Sequence, residues 1–389
     1  MKIHSTSNIV NALAFCGISA KVDEPTLSPA TVNYKITLAK PTDIKRLKGS
    51  VEALQNMLGF ACWFNADNDY GVIMSLARPH RANLPFLPLL PTKPQSFAGD
   101  VTKPLNALVG VGVDNNPIWL NLAKLPHLLL AGSTGSGKSV ALNTILCSLL
   151  RQYSPNELRI VAIDPKKTEL SPYSALPHLT CPTIVDTEHA IQTLEQICDI
   201  MDKRYSDLAK LGKRDIQGTD FKRLLIIIDE VASLTLQGKG RFIKPVTRII
   251  QEARAAGIHL ILCTQSPKKE VLPTLIRENI AAKICLKTSS AVGSNMILGH
   301  GGAEKLCAPG DAIFQYGIHE QRIAIPFCTD DDVLHTVAKW KPIALVKSKG
   351  WFAKLFEPKR PKQHIQNQAY CGQCGFAVDE GFQCMNCGW

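Results

Sequence analysis

The densest chemistry in the chain lies in eight residues, Gly132-Ser133-Thr134-Gly135-Ser136-Gly137-Lys138-Ser139. They fill every fixed position of the G-x-x-x-x-G-K-[ST] pattern of a nucleotide-phosphate loop. Glycines let backbone N–H groups converge on phosphate oxygens, and a helix starting just after adds the positive end of its dipole. In that role Lys138 reaches the β- and γ-phosphates of ATP, and the Ser139 hydroxyl ligates Mg²⁺. Further on, Leu224-Leu225-Ile226-Ile227-Ile228-Asp229-Glu230 is an apolar run ending in two carboxylates. The first, Asp229, suits the Mg²⁺ ion, and Glu230 suits a general base that orients and deprotonates the attacking water. Leu260-Ile261-Leu262-Cys263-Thr264-Gln265 ends in polar residues in the same way, which makes Gln265 the candidate γ-phosphate sensor. At the other end of the chain, Cys371-Gly372-Gln373-Cys374 and Cys384-Met385-Asn386-Cys387 form two Cys-x-x-Cys pairs. That pattern fits a structural, tetrahedral Cys₄ zinc site, a minimal zinc ribbon that would not fold without its metal.

The elements that position these residues can be read from periodicity. From Leu125 onward, apolar runs alternate with helical patterns, which argues an α/β fold with a parallel sheet. Strands are expected at His127–Ala131, Leu158–Ile163, Pro182–Val185, Leu224–Ile228, Leu260–Cys263 and Ala282–Leu286. Helices are expected from Glu188 to about Leu211 and from Phe242 to Ala256, and an antiparallel pair, Asp311–Tyr316 with Gln321–Phe327, closes the region. Ahead of it, Val109 to Leu122 reads as a hairpin turning at Asp114-Asn115-Asn116-Pro117. Residues 1–90 read as a small α+β domain, with strands at Thr31–Leu38 and Tyr70–Leu76 and one helix from Ile44 to Phe60.

The boundaries that result are a small α+β domain at 1–90, a proline-rich linker at 91–104, an ATPase motor at 105–332, a basic linker at 333–365 and the zinc-ribbon module at 366–389. Within the basic linker, Trp351-Phe352-Ala353-Lys354-Leu355-Phe356 could form a short amphipathic helix.

Composition narrows the class further. The chain has 389 residues and a formal net charge of +11, which favours an anionic partner such as nucleic acid. No apolar run approaches the roughly 20 residues needed to span a bilayer, and the N-terminus shows no secretory signal. Of the 13 cysteines, those outside the C-terminal pairs are scattered singly, as in a reduced, cytoplasmic protein.

The motifs together resemble the FtsK/SpoIIIE-type DNA translocase motors. The resemblance is carried by Leu125-Pro126-His127 running into the phosphate loop; Ile163-Asp164-Pro165-Lys166 with Glu169-Leu170-Ser171; Arg204-Tyr205; Ile228-Asp229-Glu230; Ala253-Arg254-Ala255-Ala256-Gly257-Ile258-His259; Thr264-Gln265; and Gly301-Gly302-Ala303-Glu304-Lys305-Leu306 before Gly310-Asp311. It implies a RecA-like P-loop ATPase core, a homo-oligomeric ring, in that family a hexamer, around double-stranded DNA, and ATP held between subunits. Arg254 matches the family's arginine finger, which reaches into the neighbour's site. Lys268, Lys269 and Arg277 are the candidate DNA contacts. The sequence departs from the family pattern nearby, with Ser266 standing where an arginine is usual and Ala291 and Asn295 replacing basic pore residues.

The expected function is therefore ATP-driven translocation of double-stranded DNA. Because neither a membrane anchor nor the family's winged-helix reader is visible, a role in plasmid or conjugative transfer, phage-like packaging or segregation is expected. An ATPase energising protein secretion and an ATP-gated DNA clamp are the alternatives, and the zinc ribbon would add a protein or DNA contact.

Overall fold

In the computed structural model, residues 4–28, 31–60, 62–66, 71–78, 84–91, 104–238 and 240–340 are described, together with the backbone of 369–370 and 377–378. The chain divides into two units, Met1–Lys347 and Ser348–Trp389.

The larger unit begins with an antiparallel α+β module. It runs α1 (Thr6–Phe15), β1 (Ala20–Val22), β2 (Thr26–Leu27), β3 (Thr31–Leu38), α2 (Asp43–Gly49), α3 (Val51–Leu58), β4 (Cys62–Ala66) and β5 (Gly71–Ala77). The sheet order is β1-β3-β5-β4, with β2 also paired to β3, over a core that includes Ile9, Leu13, Tyr34, Ile36, Leu54 and Met74. One helix was expected from 44 to 60, but Gly49-Ser50 breaks it. Glycine is about 1 kcal/mol poorer than alanine in a helix, and the Ser50 hydroxyl turns back to the Arg46 carbonyl at 2.9 Å, a local bond that competes with the helix ladder.

The second module is a nine-stranded sheet with helices around it. Its elements are β6 (Asn106–Val111), β7 (Pro117–Asn121), β8 (His127–Ala131), α4 (Lys138–Gln152), β9 (Leu158–Ile163), α5 (Thr187–Lys210), β10 (Arg223–Ile228), α6 (Val231–Gln237), α7 (Ile243–Glu252), β11 (Ile258–Thr264), α8 (Thr274–Asn279), β12 (Ala282–Leu286), α9 (Ala291–Leu298), β13 (Asp311–Tyr316), β14 (His319–Ala324) and α10 (Asp330–Ala338). The order is β7-β6-β14-β13-β12-β8-β11-β10-β9. From β12 to β9 the pairings are parallel, and from β12 to β7 they are antiparallel. The sheet is thus mixed rather than wholly parallel. β8, β10 and β11 are buried along their whole length, because helices cover both faces, and this explains their unbroken apolar runs.

Three expectations need correction. Pro182–Val185 does not form a strand. Within the segment only Ile184 bridges to β9, a second bridge lies just before it at Leu179, and Pro182 between them has no N–H to give to the ladder. α7 ends at Glu252 rather than Ala256, since Gly257 adopts a left-handed φ of 68° and folds the chain back into β11. The ordered core also runs past 332. Thr329 caps α10 through a capping box, and Trp340 Nε1 donates to the Leu150 carbonyl of α4 at 2.9 Å.

The two modules of the larger unit meet around Arg322. Its guanidinium carbon lies 3.4 Å from the centroid of the Trp63 ring, and it pairs with Asp311 in a buried bridge at 2.5 Å. In the smaller unit, Ala369–Tyr370 pairs antiparallel with Ala377–Val378. Cys371, Cys374, Cys384 and Cys387 lie outside the described residues, as do the amphipathic 351–356 stretch and nearly all of the proline-rich linker.

Candidate functional site

Parallel register brings the C-terminal ends of four strands to one edge of the sheet. Ala131 pairs with Thr264, and Ile228 pairs with both Leu262 and Ile163. Gly132, Gln265, Asp229 and Asp164 are each the next residue, so they emerge side by side, where ligands bind in α/β sheets.

The phosphate loop leaves β8 and enters α4 at Lys138. Gly137 sits at φ 98°, and a Cβ there would stand 2.9 Å from the Gly310 nitrogen. A Cβ at Gly132 would meet Ser136 Oγ at 2.5 Å. Bonds from outside fix the loop: Gly310 N donates to Ser136 O at 2.7 Å, and Ser133 donates through both N and Oγ to Lys287 O at 2.9 Å. The first N–H groups of α4 have no carbonyl one turn behind them and face the loop's hollow, where an anion can satisfy them.

The side chains around the loop form a compact polar set. Lys138 Nζ donates to Asp229 Oδ1 at 2.6 Å with both groups buried. The other carboxylate oxygen, Asp229 Oδ2, is buried with no partner. Burial pushes the Asp229 carboxyl above its ordinary range; Lys138 pulls it back, and Glu169 and Asp164 add to the rise. Ser139 Oγ donates to Glu169 Oε1 at 2.5 Å. Glu230 accepts from Thr264 Oγ1 at 3.3 Å and from Lys166 Nζ at 3.2 Å, and its Oε1 also caps α6 at Ala232 N, 3.4 Å away. Thr134 Oγ1 donates to Gln265 Oε1 at 3.0 Å. Lys166 and Glu169 had no role from sequence. Their loop is shaped by buried Asp164, which accepts from the backbone N–H groups of Lys166 and Leu170 at 3.1 Å.

Ser139, Asp229 and Glu169 fit a hydrated Mg²⁺ ion. Asp229 Oδ2 is an open acceptor, and Mg²⁺ at a nucleotide needs only one or two carboxylates besides phosphate and water. Among the described residues no group of three or more His, Cys, Asp or Glu is placed to hold a metal ion.

The remaining candidates stand elsewhere. Arg254 is exposed on the turn between α7 and β11, at the opposite edge of the sheet. β11 separates it from Gln265, a span of about 20 Å at strand rise, far beyond the reach of one side chain. Arg254 therefore cannot serve the phosphate loop of its own chain. Lys268 and Lys269 are exposed on the loop after β11. Arg277 is spent internally, donating to the carbonyls of Leu272 and Met296 at 2.9 Å and to Thr274 Oγ1 at 3.0 Å.

Comparison with known proteins agrees with this geometry. The model of the FtsK/SpoIIIE family matches residues 95–223 and 217–269. The chain carries an FtsK/SpoIIIE family domain. Its relatives include the DNA translocase SftA of Bacillus subtilis, 42% identical over 222 residues, and the DNA translocase FtsK of Streptococcus agalactiae, 38% identical over 247 residues. These alignments cover 54% and 59% of this chain but 23% and 30% of the relatives, so the chain spans under a third of either. The fold is that of the RecA-like P-loop ATPases. The conjugation coupling protein TcpA of pCW3, solved with ATPγS, superposes with a TM-score of 0.58 at 21% identity, over 86% of this chain and 98% of its own. The type VII secretion ATPase EccC of Thermomonospora curvata superposes with a TM-score of 0.55 at 24% identity, over 67% of this chain and 33% of its own. Among the described residues of the FtsK/SpoIIIE-domain chain, no helix is long and apolar enough to cross a membrane.

Proposed function

We propose that this chain hydrolyses ATP to drive double-stranded DNA through a ring of its own copies. One observation carries the reading. The phosphate loop and its carboxylates are assembled at one edge of the sheet, while Arg254 stands exposed at the other, out of reach of its own chain's nucleotide and open to a second subunit's. A ring in which each subunit lends its arginine to the next satisfies both facts, and a hexamer is the proposed size.

The roles follow from position. The loop 132–139 cradles the phosphates, and Lys138 leaves Asp229 to neutralise the β- and γ-oxygens. Ser139 and Asp229 would hold Mg²⁺, with Glu169 on its hydration shell; the ion supplies charge neutralisation at the transferred phosphoryl. Glu230 accepts the proton of the attacking water, released from Lys166 and Thr264 as the site fills. Gln265, bonded to Thr134 of the loop, reports the γ-phosphate to the loop that follows β11. Arg254 of the neighbouring copy stabilises charge on the transferred group. Lys268 and Lys269 grip the DNA backbone, a sequence-independent and salt-sensitive contact, and Arg277 braces their loop from within.

The reading extends to a cytoplasmic address, to a structural zinc ion on Cys371, Cys374, Cys384 and Cys387 that supports a contact with a protein or DNA, and to service in DNA transfer, packaging or segregation. Steady-state ATPase assays without polymer, with single-stranded DNA and with linear duplex test it. Stimulation by duplex over single strands is the expected result. A rate indifferent to all three would overturn the proposal and point to a protein substrate.

A further inference from the structure

The turn at 253–257 is clamped along its whole backbone. Glu252 O accepts from the Tyr205 hydroxyl. Ala253 O accepts from Ile258 N, Arg254 O from Gly257 N and Ala255 O from Ile216 N, each at 3.1 Å. Ala256 O accepts from Arg204 Nη1 at 2.6 Å, and Gly257 O from Leu224 N at 3.0 Å. Every carbonyl from 252 to 257 is thus used. A Cβ on Gly257 would collide with Ile216. These bonds fix the turn's backbone, and what it presents to solvent is the Arg254 side chain, which makes no hydrogen bond or ion pair among the described residues.

Two of these clamps are side chains, neighbours on α5. Arg204 is fully buried, its second arm donates to Lys222 O at 2.9 Å, and its guanidinium carbon lies 5.5 Å from the centre of the Phe221 ring. Among the described residues no carboxylate pairs with it. A buried cation without a counter-ion is costly, and the fold could fill that space with an aliphatic side chain. A forked donor, however, ties α5, the strand entering β10 and the Arg254 turn into one rigid piece. Tyr205 adds a bond to Glu252 O, four residues before the Ala256 carbonyl that Arg204 holds, and packs with Leu208, Ile216 and Phe221 under the same corner.

We infer that Arg204 and Tyr205 are positioning residues for Arg254, holding its turn so that the guanidinium meets the neighbouring subunit's phosphates in one orientation. The inference rests on the reading of Arg254 as a group acting in trans. A misplacement of about 1 Å in such a group can cost on the order of a hundredfold in rate.

The test compares Tyr205→Phe, Arg204→Lys and Arg254→Ala in the full chain, reading duplex-stimulated kcat, the KM for ATP and Tm. Tyr205→Phe is expected to lower kcat by about tenfold to a hundredfold while KM and Tm stay near the parent values. Mixing Tyr205→Phe with Lys138→Ala subunits, which lack a working phosphate site but carry an intact turn, is expected to restore turnover at the Tyr205→Phe sites. If Arg254→Ala abolishes turnover while Tyr205→Phe and Arg204→Lys keep full kcat, the positioning role falls and the trans reading stands. If Tyr205→Phe is slow but not rescued by mixing, its effect lies in its own site and the inference is wrong. If Arg254→Ala retains full activity, the trans reading fails and takes the inference with it. Should Arg204→Lys fail to fold, Tyr205→Phe still decides.

Discussion

The two edges of the central sheet are built to opposite rules. At the nucleotide edge the carboxylates are buried and matched: Asp229 with Lys138, Asp311 with Arg322, and Glu230 with the more exposed Lys166. At the far edge the pairs lie in solvent, as with Arg248 between Asp202 and Glu252 and with His300 beside Glu320. At the Arg254 turn it is the backbone that is satisfied, and the Arg254 side chain has no partner among the described residues. If the proposed function holds, a chain that gathers its phosphate-site groups at one edge and presents Arg254 at the other carries half of a site on each side. On the proposed reading, the difference makes the junction between copies the catalytic unit.

The sharpest way to break that comparison is to remove the free cation. Arg254→Ala should lower duplex-stimulated ATP turnover by about 10³ or more, with nucleotide affinity nearly unchanged, as read by steady-state kinetics beside equilibrium binding. A loss of affinity equal to the loss of rate would make Arg254 part of its own chain's pocket. Glu230→Gln attacks the other edge. It keeps the shape of the group and loses the base, so turnover should fall by about 10² to 10⁴ while ATP still binds.

Stability separates the edges as well. Asp311→Asn strands Arg322 in a buried setting over Trp63, and breaking one partner of such a pair typically costs about 3–5 kcal/mol. Urea unfolding measures it, and a change below about 1 kcal/mol would mean the pair behaves like a surface one. The far-edge counterpart is small. Burial pulls His300 down, but its bonds to the Gly301 carbonyl and to Glu320 outweigh this and hold it above its ordinary value. With the folded pKa raised, the pair stabilises fully below about pH 6.5 and fades as pH rises through the folded value. His300→Gln should therefore lower Tm slightly at about pH 5.5 and not at about pH 8.5; the reverse order would contradict the sign.

Chemistry tied to fixed spacing was legible in the sequence. Lys138, Ser139, Asp229 and Glu230 announce themselves, and the structure pairs Lys138 with Asp229 and brings all four to one edge of the sheet. The parallel half of the sheet was legible too, because strands buried on both faces read as continuous apolar runs. The antiparallel half was legible only as separate hairpins. That β6 lies against β14 depends on contacts between segments far apart in the chain, which no local pattern records. The same holds for Lys166 on Glu230 and Glu169 on Ser139, where the residue types were visible but their partners were not. Arg277 reads from sequence as a free cation, yet three oxygens within its own fold claim it. Arg204 bonds to carbonyls, and since every residue has one, its partners leave no trace in residue type.

The most direct test of the shared junction is to mix Lys138→Ala subunits, dead in the phosphate loop, with Arg254→Ala subunits, dead in the far-edge cation, and to measure duplex-stimulated ATPase across mixing ratios. Each alone should be nearly inactive. If the site is shared, the mixture regains turnover with a maximum at intermediate ratios, because each Arg254→Ala site next to a Lys138→Ala subunit has all its parts. A mixture whose rate is only the weighted sum of the two inactive proteins would contradict the division of labour between the edges.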